Sequence, residues 1–506
     1  MMPYLYNLGL LFKYIASIHV DSIALAFPDG ATSSFKNLDQ RSDLIAKLLL
    51  SKGLEQGDVL AMFSDKSETS FSLMLACLKT GIIYTNLDFS SPSSRNNKIL
   101  DRCRPSMIFY DTGIDLSNSG LEYSCPDITS KELGKVQESS TELTYTNVNG
   151  NDPAYIMFTS GSTGFPKGAA ISHQNLLNFI SWGRSTYRVS PEDRFTNVNP
   201  IYFDNAVFDF YISLFNGASM VPVRAEDAKN PKTLVEFIDK TKCTIWFSVP
   251  SMLVYLLTTK ALNGKELQSI RVFSFGGEGF PKTKLKTLYE LYSTNADILN
   301  VYGPTECTCI CSSYPISEID FEDMSELAPL GEMAPNFGYR IDPIQDNPNY
   351  GELWLEGPNV GLGYFNDEER TNQAFVKLEE DNFHRRFYKT GDLVEYRQDR
   401  KLYIKGRLDN QIKHMGYRIE LEEIEAGINA IEGVTESAAV YVKINAELGF
   451  IRAFICSTDQ DDKKLKVELK KILPSYMIPR EVKFLNPLPK NQNGKIDRNK
   501  LKAYEG

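Results

Sequence analysis

The chain has 506 residues, a net charge of −10, a pI near 5.2, and 42% hydrophobic and 24% charged residues. This is the composition of a globular protein with room for about three domain-sized units and a core that needs neither metal nor disulfide. The acidic balance argues against nucleic acid and anionic membranes as partners, so an anionic ligand must be met by a local cluster of donors.

The apolar start "MMPYLYNLGLLFKYIASIHV" is interrupted by Lys13 and has neither a basic lead-in nor a small-residue cleavage site, so a signal peptide is not expected. No apolar run reaches the roughly 18 residues of a membrane helix. The eight Cys are thinly spread, which points to a reducing, cytoplasmic setting.

The first 150 residues alternate helix and strand patterns. "NLDQRSDLIAKLLLSKG" (37–53) sets Leu38, Leu44, Ile45, Leu48 and Leu49 on one helical side, with Gly53 as a stop. "DVLAMFS" (58–64) reads as a buried strand and "FSLMLACLKTG" (71–81) as a helix ending at Gly81. That grammar predicts an α/β fold with a largely parallel sheet.

"AYIMFT" (154–159) is a strand that opens into Ser160-Gly161-Ser162-Thr163-Gly164-Phe165-Pro166-Lys167-Gly168. A Walker loop needs Gly-Lys-Ser/Thr running straight into a helix. Here Pro166 precedes Lys167, Gly168 follows it, and "AAIS" reads as a second strand before a helix near Ser172. The Walker reading fails, but the phosphate chemistry survives. Glycines let backbone N–H groups converge on an anion, hydroxyls add donors and Lys167 adds charge. A flexible Ser/Gly linker is the alternative; the buried strand before it and the Pro-Lys-Gly ending disfavour that.

Further on, Asp204 in "YFDNAVFDFY" (202–211) reads by itself as a turn residue at a helix start. "CTIWFSV" (243–249) and "SIRVFSFGGE" (269–278) are strands feeding loops. Gly276-Gly277-Glu278 and "YGPTE" (302–306) fall at carboxyl ends of strands, where α/β sheets bind ligands. In "CTCIC" (307–311) alternation predicts three thiols on one face of a strand; a metal would lack a fourth ligand, and small buried side chains are the simpler reading. "KTGDLVEYRQDRKLYIKGRLDNQIK" (389–413) predicts strands broken at Gly-Asp and at Arg-Leu-Asp-Asn. "ELEEIEAGINAI" (420–431) predicts a helix with Leu421, Ile424, Ile428 and Ile431 inward and its glutamates as a solvated face. Two strands and a helix stopped by Pro474 complete a small α+β unit of about 100 residues.

Five segments in order, "YIMFTSGSTGFPKG", "NVYGPTE", "YKTGD", "GRLDNQIKHMGYRIELEEIE" and "NQNGKIDR", resemble the acyl-adenylate-forming superfamily. Its members include amino-acid adenylation domains of nonribosomal peptide synthetases, D-alanine–carrier-protein ligases, acyl-CoA synthetases and luciferases. "YFDNAVFDFY" resembles the amino-acid branch, and "CTIWFSVPSML" and "GYRIELEEIE" resemble the D-alanine ligases. The resemblance implies an N-terminal domain (1–408) of layered α/β subdomains with a small β-rich one, and a mobile α+β lid (409–506). It implies a monomer that uses ATP and Mg²⁺ to convert an amino acid to aminoacyl-AMP and then to a thioester on phosphopantetheine.

By the same resemblance, Lys495 is the adenylation lysine, Thr305 contacts the α-phosphate and Glu306 holds Mg²⁺. Thr159, Ser160, Gly161, Thr163, Gly164 and Lys167 hold the β- and γ-phosphates. Tyr302 stacks on adenine beside Gly277, Glu278 and Gly303, while Asp392 accepts the ribose hydroxyls near Arg407. Asp204 pairs with the substrate ammonium. The rest of the substrate pocket is Asn205, Phe208, Phe247, Ser274, Gly276, Val301, Cys309 and Ile310. Asp409 is the hinge and Gly416 lies by the thiol tunnel. With Asp204 the one charge in that pocket, a neutral amino acid is expected, since a charged side chain would lack a buried partner. The D-alanine ligases carry Cys where this chain has Gly276, and Asn205 also departs from the usual residue. The chain ends eleven residues after Lys495, so the acceptor is expected to be a separate carrier protein, with free coenzyme A as the alternative. Two rivals remain from the sequence: an acyl-CoA synthetase acting on a plain carboxylic acid, and a catalytically silent binding protein on the same fold.

Overall fold

The computed structural model describes residues 4–114, 120–135, 143, 145, 147–161, 164–335, 337–380, 383–444, 449–491 and 496–504. The strands Val59–Phe63 and Ile83–Leu87 are buried along their whole length, as parallel strands covered on both faces must be. The helix between them, Glu68–Thr80, starts where the Ser67 hydroxyl accepts the Ser70 N–H and stops at Gly81, φ 73°, in the left-handed region that glycine enters freely. Met107–Tyr110 and Asp127–Thr129 extend this sheet on one side. On the other side lies the hairpin of Pro153–Thr159 and Lys167–Ser172, with the short strand Gly363–Tyr364 at its edge, giving seven strands among the described residues.

A second sheet, of nine strands among the described residues, has a parallel centre: Val272–Gly276 lies between Asp297–Tyr302 and Ile245–Ser248, and Arg194–Asn197 follows. One apolar cluster joins the two sheets. It takes Leu60, Tyr84 and Tyr155 from the first, Phe71 and Phe179 from helices between, and Phe195, Phe247 and Leu299 from the second. At about 2 kcal/mol per fully buried large apolar side chain, this shared core fixes the sheets against each other. The loops at their strand ends therefore face one another across a fixed gap.

A β-rich layer follows, built on Asn347–Glu356, Phe383–Tyr396 and Leu402–Arg407. Here the predicted break at Gly391-Asp392 does not occur. The strand Phe383–Tyr396 passes through both residues. Gly391, φ 72°, takes up a register shift and donates its N–H to Glu352, so pairing on both sides outweighs the local turn signal. Nor is "CTCIC" a strand. Thr305–Cys307 is a single 3₁₀ turn, and Thr308 and Cys309 have φ of 60° and 71°. The kink sends Cys307 and Cys311 into the core of the β-rich layer and Cys309 into the core between the large sheets.

The C-terminal unit is a three-stranded sheet, Val434–Lys443, Gly449–Ser457 and Glu481–Phe484, with helices Leu421–Asn429 and Asp462–Leu469. The latter ends at Leu469, short of Pro474. Among the described residues no helix is long and apolar enough to cross a membrane. The whole is α/β with a small α+β C-terminal part.

Candidate active site

The glycine-rich loop joins two antiparallel strands, with Thr159 opposite Lys167, so strand–loop–strand holds and a Walker loop does not. The turn closes by the Gly164 N–H on the Gly161 carbonyl, 3.0 Å. A Cβ on Gly161 would lie 2.0 Å from the Phe165 carbonyl oxygen, so no side chain fits there. The Thr159 hydroxyl is buried with no hydrogen-bond partner among the described residues, an unsatisfied donor at the loop's entrance. Thr163 lies outside the described residues.

Facing this loop, a cavity of about 440 Å³ opens at the carboxyl ends of the central strands of the nine-stranded sheet. Asp204 does not cap the short helix Asn205–Val207. Its Oδ2 instead accepts the Thr305 hydroxyl at 2.6 Å. Burial raises the Asp204 pKa, against the hydrogen bond from Thr305 and the charge of Arg418, which lower it. Asn205, Phe247, Gly276, Val301, Cys309 and Ile310 share the lining with Asp204, Thr159, Ser160, Gly303 and Thr305.

Phe208 and Ser274, expected in the pocket wall, stand behind it. Phe208 packs on Phe247 and Tyr187, with ring centroids 4.7 and 4.8 Å away. Ser274 is fully buried and bonded to the Tyr187 hydroxyl at 2.7 Å. They shape the pocket through Phe247 rather than by contact.

An adjoining cavity of about 620 Å³ holds Gly277, Glu278 and Tyr302 together with Asp392, Arg407 and Asp409. The Tyr302 hydroxyl donates to Asp392 at 2.5 Å, Arg407 pairs with Asp392, and Arg407 reaches Asp409 at 2.6 Å. Glu278 accepts the Ser251 N–H at 2.7 Å and the Gly416 N–H at 3.0 Å. Gly416, φ 81°, packs so closely on Val249 that a Cβ would come within 2.9 Å of it. From there the first cavity continues past Met252 to the partly exposed Tyr255 and Met415.

The hairpin Gln411–His414/Tyr417–Glu420 closes the site from the C-terminal side. Glu306 is fully buried; its Oε1 accepts the Tyr364 hydroxyl at 2.8 Å and its Oε2 takes Arg418 at 2.7 Å. Burial alone would raise the Glu306 pKa, but the charges of Arg418 and Lys167 bring it down to about 2. The predicted solvated glutamate face is corrected here. Glu420 and Glu423 are buried, the first 3.1 Å from Lys167 and the second accepting the Gly161 N–H at 3.2 Å while pairing with Arg95. The helix faces a loop of donors rather than water. Lys495 lies outside the described residues. Its neighbour Ile496 packs with Ala438, Val440 and Phe454, whereas Ile419 of the hairpin packs with Ala439, Ala453 and Ile455. These are opposite faces of the small sheet.

A family model described as "AMP-binding enzyme" matches residues 12–365, and one described as "AMP-binding enzyme C-terminal domain" matches residues 423–495. The chain belongs to the AMP-binding enzyme family. It is 33% identical over 477 residues, covering 92% of this chain and 93% of the relative, to a D-alanine–D-alanyl carrier protein ligase of Staphylococcus epidermidis. Two solved structures share the fold. The o-succinylbenzoate CoA synthetase of Bacillus subtilis has TM-score 0.87, 21% identity and 99% of both chains covered. An artificially fused adenylation–PCP di-domain from Klebsiella oxytoca has TM-score 0.84, 22% identity and 96% and 95% covered.

Several residues of this AMP-binding enzyme's site had no sequence signal of their own. Tyr187, the C-cap of the helix His173–Thr186, forms the pocket's backing, and Arg95 anchors the helix Leu421–Asn429 through Glu423. Glu420 and Glu423 read as part of a solvated face, and Arg418 is not singled out within its segment. Burial, which a single sequence does not report, is what sets them apart.

Proposed function

We propose that this ATP-dependent enzyme activates a neutral amino acid as its adenylate and passes it to the phosphopantetheine thiol of a separate carrier protein. One observation carries the amino-acid reading: Asp204 is held in the cavity by Thr305 and leaves the adjacent helix uncapped. A buried carboxylate with a raised pKa is a cost that a substrate ammonium relieves. The lining from Asn205 to Ile310 is uncharged, which suits a neutral side chain, while the cations Lys413 and Arg418 reach the cavity from the closing hairpin.

In the first half-reaction a substrate carboxylate oxygen attacks the α-phosphorus of ATP, the bond to the bridging α–β oxygen breaks, and pyrophosphate leaves. Two anions must meet, so the site's work is charge neutralisation and in-line placement. We assign Thr159, Ser160, Gly161, Gly164 and Lys167 to the departing phosphates, with Thr163 from the resemblance. Thr305 goes to the α-phosphate, Tyr302, Gly303, Gly277 and Glu278 to adenine, Asp392 and Arg407 to ribose, and Lys495 to the attacking and α-phosphate oxygens. Glu306 is an anion suited to Mg²⁺, but both its oxygens are taken; the donor set fits the ion once Arg418 withdraws. When bound, the ion would neutralise phosphate charge as a hard Lewis acid.

In the second half-reaction a thiol attacks the acyl carbonyl, AMP leaves and a thioester remains. The cavity from Asp204 past Gly416 to Met252 suits the incoming arm. Ile496, the described residue next to Lys495 in sequence, packs on the face of the small sheet turned away from the hairpin, which supports a rotation between the two half-reactions; we place it at Asp409, between 1–408 and 409–506. Gly276 bears on which amino acid is taken: a Cβ there would lie 2.6 Å from the Val301 carbonyl oxygen, so a Cys, as in the D-alanine ligases, would need the Val301 strand to shift.

The test is amino-acid-dependent pyrophosphate exchange across L-, D- and β-amino acids, repeated with Asp204→Ala. Activation by one neutral amino acid, lost in Asp204→Ala, is the expected result. Activation that survives the substitution sinks the amino-acid reading, and rapid aminoacyl-CoA synthesis without a carrier sinks the carrier reading in favour of coenzyme A.

A further inference from the structure

Behind the substrate pocket stand two buried charges that the proposed chemistry does not use. Lys66 lies just past the strand Val59–Phe63 of the first sheet and is fully buried. Its Nζ crosses to the second sheet and donates to the carbonyls of Asn197, at 2.7 Å, and Val223, at 2.6 Å, at the ends of the paired parallel strands Arg194–Asn197 and Ser219–Pro222. Asp209, also fully buried, takes the side chain of the same Asn197. Its Oδ2 accepts the Asn197 amide at 3.0 Å and the Asn199 amide at 3.4 Å. The Asn199 amide donates in turn to the Phe247 carbonyl at 3.0 Å. Asp209 belongs to the π-helical turn Phe208–Ile212, a rare, widened turn that recurs at functional sites. Its neighbour Phe208 packs on the Phe247 ring. One turn of helix therefore holds Phe247 twice, by the ring through Phe208 and by the carbonyl through Asn199. Burial lowers the Lys66 pKa to about 8, against the charges of Asp209, Asp65 and Asp227, which raise it. Burial also raises that of Asp209, against the hydrogen bond from Asn197 and the charge of Lys66.

A buried ion pair is weak as a stabilising device, because desolvation offsets its attraction. The directional bonds of this pair, however, end on the pocket. The chain between Asn197 and Asp204 lines the cavity through Val198, Pro200, Tyr202 and Phe203, and Phe247 lines it from the next strand. Lys66 and Asp209 do not line it. We infer that Lys66 and Asp209 are positioning residues for amino-acid activation: joined through Asn197, they fix the spacing between the segment that ends in Asp204 and the Phe247 wall, and so set how tightly the amino acid is held. This rests on the assignment of Asp204 and its pocket to the amino acid under the proposed function.

The test uses the full chain with Lys66→Met, Asp209→Asn and the two together, assayed by pyrophosphate exchange with the amino acid that the screen above identifies. Each single change strands one buried charge. It is expected to raise KM for the amino acid about tenfold or more while KM for ATP stays within about twofold. The double variant removes both charges and is expected to be less impaired than either single one, the non-additivity of coupled sites. Where a single variant does not fold, as thermal unfolding reports, the double variant carries the same comparison of the two KM values. Amide hydrogen exchange without any ligand gives a second reading: faster exchange in the single variants at 198–208 and 245–249, with the strand Gly449–Ser457 of the small domain unchanged. Equal rises in both KM values, effects that simply add, exchange that quickens throughout the chain, or failure of all three variants to fold would mark the pair as structural only and overturn the inference. Absence of exchange with every amino acid in the unsubstituted enzyme strikes the proposed function instead, and the hydrogen-exchange comparison then decides the pair by itself.

Discussion

At the scale of single residues, Asp204 is the most exacting case. Its Oδ2 is fixed by Thr305 and burial raises its pKa. Ionised, it burdens the folded protein above its raised pKa, and that burden disappears as pH falls through that value. Asp204→Asn is therefore expected to leave stability at pH 7 unchanged or raised, read by thermal unfolding, while lowering kcat/KM for the amino acid about a hundredfold or more through loss of a buried charge pair. In the unsubstituted enzyme, KM for the amino acid is expected to rise as pH falls through the raised pKa of Asp204. A pH profile that Asp204→Asn leaves unchanged contradicts the ammonium pairing. Gly161 makes a steric point at the same scale. Its missing Cβ is 2.0 Å from a carbonyl oxygen, so Gly161→Ala is expected to cost about 1–3 kcal/mol as overpacking, measured by denaturant unfolding, and to weaken ATP binding in parallel.

At the scale of elements, the hairpin that carries the glycine-rich loop and the closing hairpin form one unit from two distant stretches of chain. Arg418 is the test of their coupling, because Glu306 is fully buried and depends on it. Arg418→Met strands that carboxylate in the closed arrangement. Thioester formation is expected to fall at least about tenfold, with amino-acid-dependent pyrophosphate exchange kept within about twofold, because under the proposed function that half-reaction has Arg418 withdrawn. Equal losses in both assays would contradict the division of labour. The elements themselves were largely legible. The strand before the loop, the second strand after it and the helix capped by Ser172 follow from local pattern. The two misread elements, the strand through Gly391 and the kink at Thr308–Cys309, were decided by partners far along the chain.

For the whole molecule, buried ion pairs tie the C-terminal part to the large domain. The pKa of Glu306 is lowered from 4.5 to about 2, so its pairing with Arg418 contributes fully above the unfolded carboxylate value and is lost only as pH falls toward 2. Docking of the small domain, followed by small-angle scattering, is expected to be flat between pH 5.5 and 8. Undocking within that window would assign the closure to other groups.

The sequence by itself determined the α/β class, the non-Walker character of the loop and, through five ordered motifs, the resemblance that the family match bears out. These are written in adjacent residues: periodicity, glycine spacing, the Pro-Lys-Gly ending. Only the tertiary structure decided that Asp204 answers to Thr305 rather than to its own helix, that Phe208 and Ser274 stand behind the pocket, and that Glu420 and Glu423 turn inward onto Lys167 and Gly161. All of them depend on burial, and those of Asp204, Glu420 and Glu423 on partners 101 to 262 residues away; a charge has no fixed meaning until the fold determines whether it meets water or a buried opposite.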